Sequence, residues 1–228
     1  MLVVSVCHSQ TLQKGWNTFD GFVGENEVVL NVFLDSIGNL DGNYCYKKLE
    51  ARILLKGKLT GTTFFLDEFL NGKINGKFYG KIEEKTDVIE GKWASNTHSD
   101  KFFSLKLSSS TGNSFENKYS TFVHREDVEL FFKNTKKAIL TDDKIWLSKN
   151  TRFPLNLYES GKVKLKIKNS KDFLKNYNLI ITKSLQKIIK ESCVCDIFSN
   201  SHGSMIANGA IWVNELDNHR LKITSINN

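Results

Sequence analysis

The sequence predicts an α+β protein built in two parts: an all-β meander or barrel of about eight strands, then helices leading into a curved antiparallel sheet. Three observations predict it. A pattern of apolar, polar, glycine, polar, apolar recurs four times before residue 94. A small, polar tract, Ser108-Ser109-Ser110-Thr111-Gly112-Asn113-Ser114, then interrupts the chain and reads as a linker. Past it, apolar residues recur at about 3.6 rather than every second position. Charge divides near the same place: residues 1–115 carry 13 Lys and Arg against 13 Asp and Glu, whereas residues 116–228 carry 19 against 12. The boundaries drawn from these signals are 1–10, 16–108, a linker at 109–118, and 119–228.

The first part takes its strands from alternation and its turns from glycine. Apolar alternation marks strands at 19–23, 28–34, 40–46, 51–59, 63–69, 73–82, 88–94 and 102–107. Between them lie Asp35-Ser36-Ile37-Gly38, Thr60-Gly61-Thr62 and Asn71-Gly72, the last a strong hairpin signal. Eight short strands at regular spacing argue for a sandwich or a barrel. The repeated motif is Leu40-x-Gly42-x-Tyr44, Leu55-x-Gly57-x-Leu59, Ile74-x-Gly76-x-Phe78 and Ile89-x-Gly91-x-Trp93. Its three marked positions share one strand face, so Gly42, Gly57, Gly76 and Gly91 are expected to point inward. There they either make room for a neighbouring ring or let the sheet bend. Their role is structural.

This first part resembles the small secreted bacterial β-domains related to periplasmic lysozyme inhibitors. The likeness covers about eighty residues and rests on Leu40-Asp41-Gly42-Asn43-Tyr44-Cys45-Tyr46, Leu54-Leu55-Lys56-Gly57 and Ile89-Glu90-Gly91-Lys92-Trp93. Asp41, Cys45, Ala51 and Leu55 stand where those inhibitors carry serine, tyrosine, tyrosine and threonine. The resemblance therefore implies the scaffold and not the inhibitory residues.

The second part opens with a helix at 126–140: Val128, Phe131, Phe132, Thr135, Ile139 and Leu140 fall on one stripe, with Glu126 and Asp127 at the positive end of its dipole. A short helix is expected at 142–147, an extended run at 152–158 around Pro154, a strand at 163–167, and helices at 170–177 and 182–191. Strands at 194–198, 204–213 and 221–226 close the chain. This half resembles the nuclear-transport-factor-like cone domains of exported bacterial proteins, through Phe153-Pro154-Leu155, the run Lys171-Asp172-Phe173-Leu174-Lys175-Asn176-Tyr177, and Gly203-Ser204-Met205-Ile206-Ala207-Asn208-Gly209-Ala210-Ile211-Trp212. The resemblance implies an α+β cone with a curved antiparallel sheet. Such cones host enzymes and binding modules alike. By residue type, a cone pocket would draw on Tyr158, Asp172, Tyr177, Asp196, His202 and Trp212. Four of the six have a simpler reading: Asp172 as a first-turn carboxylate, Tyr177 and Trp212 as core, His202 as a solvated loop residue.

Two further patterns bear on chemistry. Lys162, Lys164, Lys166 and Lys168 alternate, so they line one strand face as a candidate anion-binding stripe, or as lysines that keep an edge strand from pairing. No aromatics interleave them, which argues against nucleic-acid binding. Cys193 and Cys195 would share a strand face and could ligate a metal with His202, but a structural zinc site wants four ligands. Buried, apolar cysteines are the simpler expectation, with no metal and no cofactor.

Residues 1–10 read as the remnant of a signal peptide, an apolar stretch followed by small and polar residues. With 40% hydrophobic and 25% charged residues, the chain is neither disordered nor fibrous. No apolar run approaches the roughly 20 residues of a membrane helix. The expectation is a periplasmic or secreted, non-enzymatic protein that binds a protein or envelope component, as an inhibitor of, or immunity factor against, an envelope-directed hydrolase. The alternative is small-molecule binding, or isomerase-type catalysis, in a cone pocket.

Overall fold

Eight antiparallel strands close on themselves in the first unit, in plain sequence order with β8 returning to β1. The computed structural model describes residues 12–83, 86–95, 97, 99–120, 122–159, 162–216 and 219–227, with Tyr158, Glu159 and Lys162 described by their backbone alone. The leader remnant read at 1–10 lies outside the described residues. The chain divides into two units between Phe115 and Glu116.

The barrel strands are β1 (Gly15–Val23), β2 (Asn26–Leu34), β3 (Asn39–Tyr46), β4 (Ala51–Thr60), β5 (Thr63–Leu70), β6 (Lys73–Glu83), β7 (Val88–Ser95) and β8 (Lys101–Thr111). Alternation sends Leu30, Tyr44, Leu55, Leu66, Phe78 and Leu105 into the interior, each almost wholly buried. Each such side chain stabilises the fold by roughly 1.5–3 kcal/mol. At the β5–β6 hairpin Leu70 pairs with Lys73, leaving Asn71 (φ 52°) and Gly72 (φ 76°) in the left-handed region that a type I′ turn demands. Charge organises the outside: Asp41, Lys56, Asp67 and Lys77 are register neighbours on β3 to β6, with Lys56–Asp41 at 3.2 Å and Lys77–Asp67 at 2.8 Å. Opposite signs on adjacent strands favour that register.

The motif glycines do two jobs. A Cβ on Gly42, Gly57 or Gly91 would lie 2.0, 1.8 or 2.0 Å from the carbonyl oxygen of Asn31, Phe65 or Tyr79 on the neighbouring strand. At Gly76 it would instead meet the Trp93 indole, 2.8 Å from Nε1. Three glycines thus let backbones close up, and one makes space for a ring. Ile74 departs from the expected inward face. A bulge on β6 pairs Gly76 with Glu68 and Ile74 with Phe69, leaving Asn75 as the extra residue. The alternation slips by one, and Ile74 is 53% exposed.

The serine tract is also corrected. Residues 108–111 belong to β8 and pair with β1 through a bulge at Ser108. Polar residues suit this seam because β1 offers polar partners. Ser110 Oγ donates to Asn17 Oδ1 at 2.9 Å, Ser108 Oγ to the Thr18 carbonyl at 3.1 Å, and Thr18 Oγ1 to Asn31 Oδ1 at 2.9 Å. Just beyond, Phe115 stacks on Trp16 at 5.4 Å, and the Trp16 indole N–H donates to the Ser114 carbonyl.

In the second unit come α1 (Arg125–Leu140), α2 (Lys144–Asn150), a hairpin of β9 (Leu155–Glu159) and β10 (Lys162–Ile167), then α3 (Ser170–Lys175), α4 (Tyr177–Ile180) and α5 (Lys183–Glu191). A four-stranded antiparallel sheet in chain order follows: β11 (Phe198–Asn200), β12 (Gly203–Ile206), β13 (Ile211–Leu216) and β14 (Arg220–Ile226). Side-chain caps start three helices: Asp143 accepts from Trp146 N–H, Asn169 from Asp172 N–H, and Thr182 from Leu185 N–H. Phe132 and Ile139 of α1, Leu147 of α2, Phe173 of α3, and Leu185 and Ile189 of α5 are fully buried in one core. The strand expected at 204–213 breaks at a 3-10 turn, Ala207–Gly209, where Ala207, Asn208 and Gly209 all take positive φ. The strand expected at 194–198 is a turn leaving α5, and β11 begins only at Phe198. No helix of the described residues is long and apolar enough to cross a membrane.

Gly57→Ala is expected to destabilise the protein by about 2–3 kcal/mol, because its methyl must displace a strand backbone. Gly112→Ala, where a Cβ meets nothing within 4 Å, is expected to change stability by less than about 0.5 kcal/mol. Urea unfolding of both variants checks this.

Candidate functional site

The repeat that bends the barrel also delivers rings to its interior. Tyr44, Phe78 and Trp93 end three of the four motifs, and the Tyr44 ring lies edge-on to Phe78 with centroids 5.2 Å apart. Between them stands Glu68 on β5, 1% exposed. Its carboxylate receives three donors: the Tyr44 hydroxyl at 2.6 Å and the Trp93 indole N–H at 2.7 Å on Oε2, and the Asn75 amide at 2.6 Å on Oε1. Each donor is placed by a feature already described: Gly76 leaves space for the Trp93 indole, and the β6 bulge supplies Asn75. A buried acid costs several kcal/mol unless its oxygens are satisfied; here both are. Burial first, and then the hydrogen bond to Glu68, push the Tyr44 phenol far above its ordinary range.

Nothing in this network is left to reach a substrate, so it reads as an interior anchor. Sequence reasoning missed Glu68, although a signal existed: Phe64 and Leu66 alternate inward on β5, and the same period carries Glu68 inside.

The outer face of the same strands offers a different kind of site. A groove of about 780 Å³ runs over β1, β6, β7 and β8, walled by Phe22, Tyr79 and Phe102 and edged by Lys81, Glu90 and Ser104. The three aromatics are 54%, 52% and 73% exposed. Outward registers arrange them in two rows. Tyr79, Lys92 and Phe102 are neighbours across β6, β7 and β8, while Lys81, Glu90, Ser104 and Phe22 form the adjacent row. Lys81 binds Glu83 at 2.5 Å and reaches Glu90 at 3.9 Å. The Glu83 hydrogen bond leads in raising the Lys81 pKa above its ordinary value. Lys92 stands over the Phe102 ring, 5.4 Å from its centroid. These outward rings escaped the sequence reading, because a single exposed aromatic on a strand carries no pattern until neighbouring strands are registered.

The second unit scatters the expected pocket residues among local roles. Tyr177 is buried and its hydroxyl donates to Asp142 Oδ1 at 3.1 Å; burial and that carboxylate raise its pKa. Asp172 accepts the Lys168 backbone N–H at 3.1 Å beside the α3 cap. His202 is exposed at the β11–β12 turn, its backbone N–H on Asn200 Oδ1. Asp196 is half-buried in the turn before β11, and Trp212, half-buried rather than core, pairs with Met205 across β12 and β13. The Tyr158 side chain lies outside the description. Lys164, Lys166 and Lys168 are exposed, but a register shift between Val163 and Leu165 also exposes Val163, so β10 does not separate cleanly into a basic and an apolar face. Cys193 and Cys195 sit in a turn and form a disulfide, with Cα atoms 5.2 Å apart. Their sulfurs are bonded to each other, which leaves no thiolates for the metal reading with His202.

Compared with protein-family models, curated proteins and solved structures, the chain matches none.

Glu68→Ala is expected to cost about 3–5 kcal/mol, since it strands the buried Tyr44 and Trp93 donors and the half-buried Asn75 amide, and Glu68→Gln less, because one oxygen can still serve Tyr44 and Trp93. Equilibrium unfolding in denaturant measures both. The Tyr44 phenol gives a pH prediction with a definite sign. Below about pH 10 it is neutral in both states; above that the unfolded chain ionises while the folded one does not, so its contribution to stability falls by about 1.4 kcal/mol per pH unit. In alkaline unfolding series Tyr44→Phe is expected to be less steep than wild type by that slope.

Proposed function

We propose that this is an exported, non-enzymatic binding protein that uses the outer face of its barrel to hold a protein or envelope component. Inhibition of an envelope-directed hydrolase, or immunity to one, is the task this reading assigns, with the second unit as a cone-type companion domain. The groove carries the proposal: contiguous exposed aromatics with a polar edge mark interaction sites, and Phe22, Tyr79 and Phe102 are such a set. The Cys193–Cys195 disulfide supports export, since disulfides persist chiefly in oxidising compartments. A catalytic reading finds less to use. The buried acid of the barrel is fully engaged, Asp172 and Tyr177 bond to different partners, Lys168 and Asp142, and His202 stands exposed at a turn.

The test is affinity capture from an envelope extract with full-length protein. Wild type is expected to retain one stoichiometric component, and Phe22→Ala/Phe102→Ala to release it at an unchanged thermal midpoint. Equal capture by both, together with metabolite-induced thermal shifts that the double variant preserves, would favour a small-molecule pocket elsewhere in the chain.

A further inference from the structure

We propose that the groove on β1, β6, β7 and β8 binds a neutral glycan strand, an inference that rests on the binding reading above and names the chemistry of its ligand. Spacing is the first argument. Tyr79 and Phe102 stand two strands apart in one outward row, about 10 Å at ordinary strand separation, a span that places the two rings against alternate sugars of an extended chain. Phe22 belongs to the next row, about 7 Å along the strands. An extended chain laid in the groove therefore meets a ring on each side.

Chemistry is the second. An aromatic face is electron-rich, and the face of a pyranose presents C–H groups with partial positive charge, so the two stack. Lys81, Glu90 and Ser104 add donors and acceptors along the edge where sugar hydroxyls would lie. Charge is the third. Lys81 is compensated by Glu83 and Glu90, and Lys92 is turned over the Phe102 ring. A nucleic acid or acidic polysaccharide would want several uncompensated cations tracking its charges. The lining instead pairs one lysine with one glutamate, which suits a ligand that brings hydroxyls and no net charge. A purely apolar ligand would leave this polar edge without partners.

The experiment titrates full-length protein with chitotetraose, cellotetraose and maltotetraose by calorimetry, at low and high salt. The proposal expects saturable binding of at least one, with the same affinity at both salt levels. It expects Tyr79→Ala and Phe102→Ala each to weaken binding about tenfold or more, while Phe102→Trp retains it and all three keep the wild-type thermal midpoint. Absence of saturable binding to all three sugars overturns the proposal. So does affinity that falls steeply with salt, or binding indifferent to both alanine variants. Should the sugars fail while Phe22→Ala/Phe102→Ala still abolishes capture of a protein, the glycan inference falls and the binding reading stands. Failure of both removes both.

Discussion

Backbone against backbone is the contact on which the first unit depends. At Gly42, Gly57 and Gly91 a neighbouring strand's carbonyl oxygen occupies the place where any other residue would carry its Cβ. No rotamer change can relieve such a clash, because neither party is a flexible side chain. Strands β2 and β3, β4 and β5, and β6 and β7 are drawn together at these points, and the eight-stranded sheet closes on itself, leaving no open edge. The interior follows from the same motif, since the residue two beyond each glycine points inward. Three of those residues are aromatic, and two of the three carry the polar edges that meet Glu68.

Inside and outside then divide the labour. The interior is filled by rings and one fully satisfied carboxylate, which specify a single packing and hold it. The exterior carries a ladder of alternating charge on β3 to β6, which contributes register and solubility, and an aromatic groove over β6, β7, β8 and β1. Exposed rings there contribute little to folding. On the proposed reading, a binding face on the outside of the barrel can change its ligand without disturbing the core, and substitutions at Phe22, Tyr79 and Phe102 are expected to change binding and leave stability alone.

Local pattern made the eight strands legible, because period-two alternation and Asn71-Gly72 or Thr60-Gly61-Thr62 turns act over a few residues. Helix α1 was legible for the same reason, through a 3.6-residue stripe, and α5 falls within the helix expected at 182–191. What escaped depends on partners distant in sequence. Ser108 and Ser110 look like linker residues until Thr18 and Asn17 of β1 supply their hydrogen bonds, some ninety residues away. Ile74 turns outward because β5 and β6 slip register at Asn75, which no single strand reveals. Glu68 was visible by parity yet unconvincing, since a buried acid makes sense only once Tyr44, Asn75 and Trp93 are known to surround it. In the second unit, residue type alone nominated Asp172, Tyr177 and His202; Asp172 holds a backbone N–H beside the α3 cap, Tyr177 is core with its hydroxyl on Asp142, and His202 lies in an exposed turn.

Amide hydrogen exchange at the β1–β8 seam tests closure most directly. If the barrel is closed, the backbone amides that face the seam, those of Asp20 and Phe22 on β1 and of Ser104 and Lys106 on β8, exchange as slowly as those of Tyr44 and Leu55 in the β3–β4 pair, with all of them opening only in global unfolding. Amides along β1 and β8 that exchange orders of magnitude faster than β3 and β4, as two free edges would, contradict it.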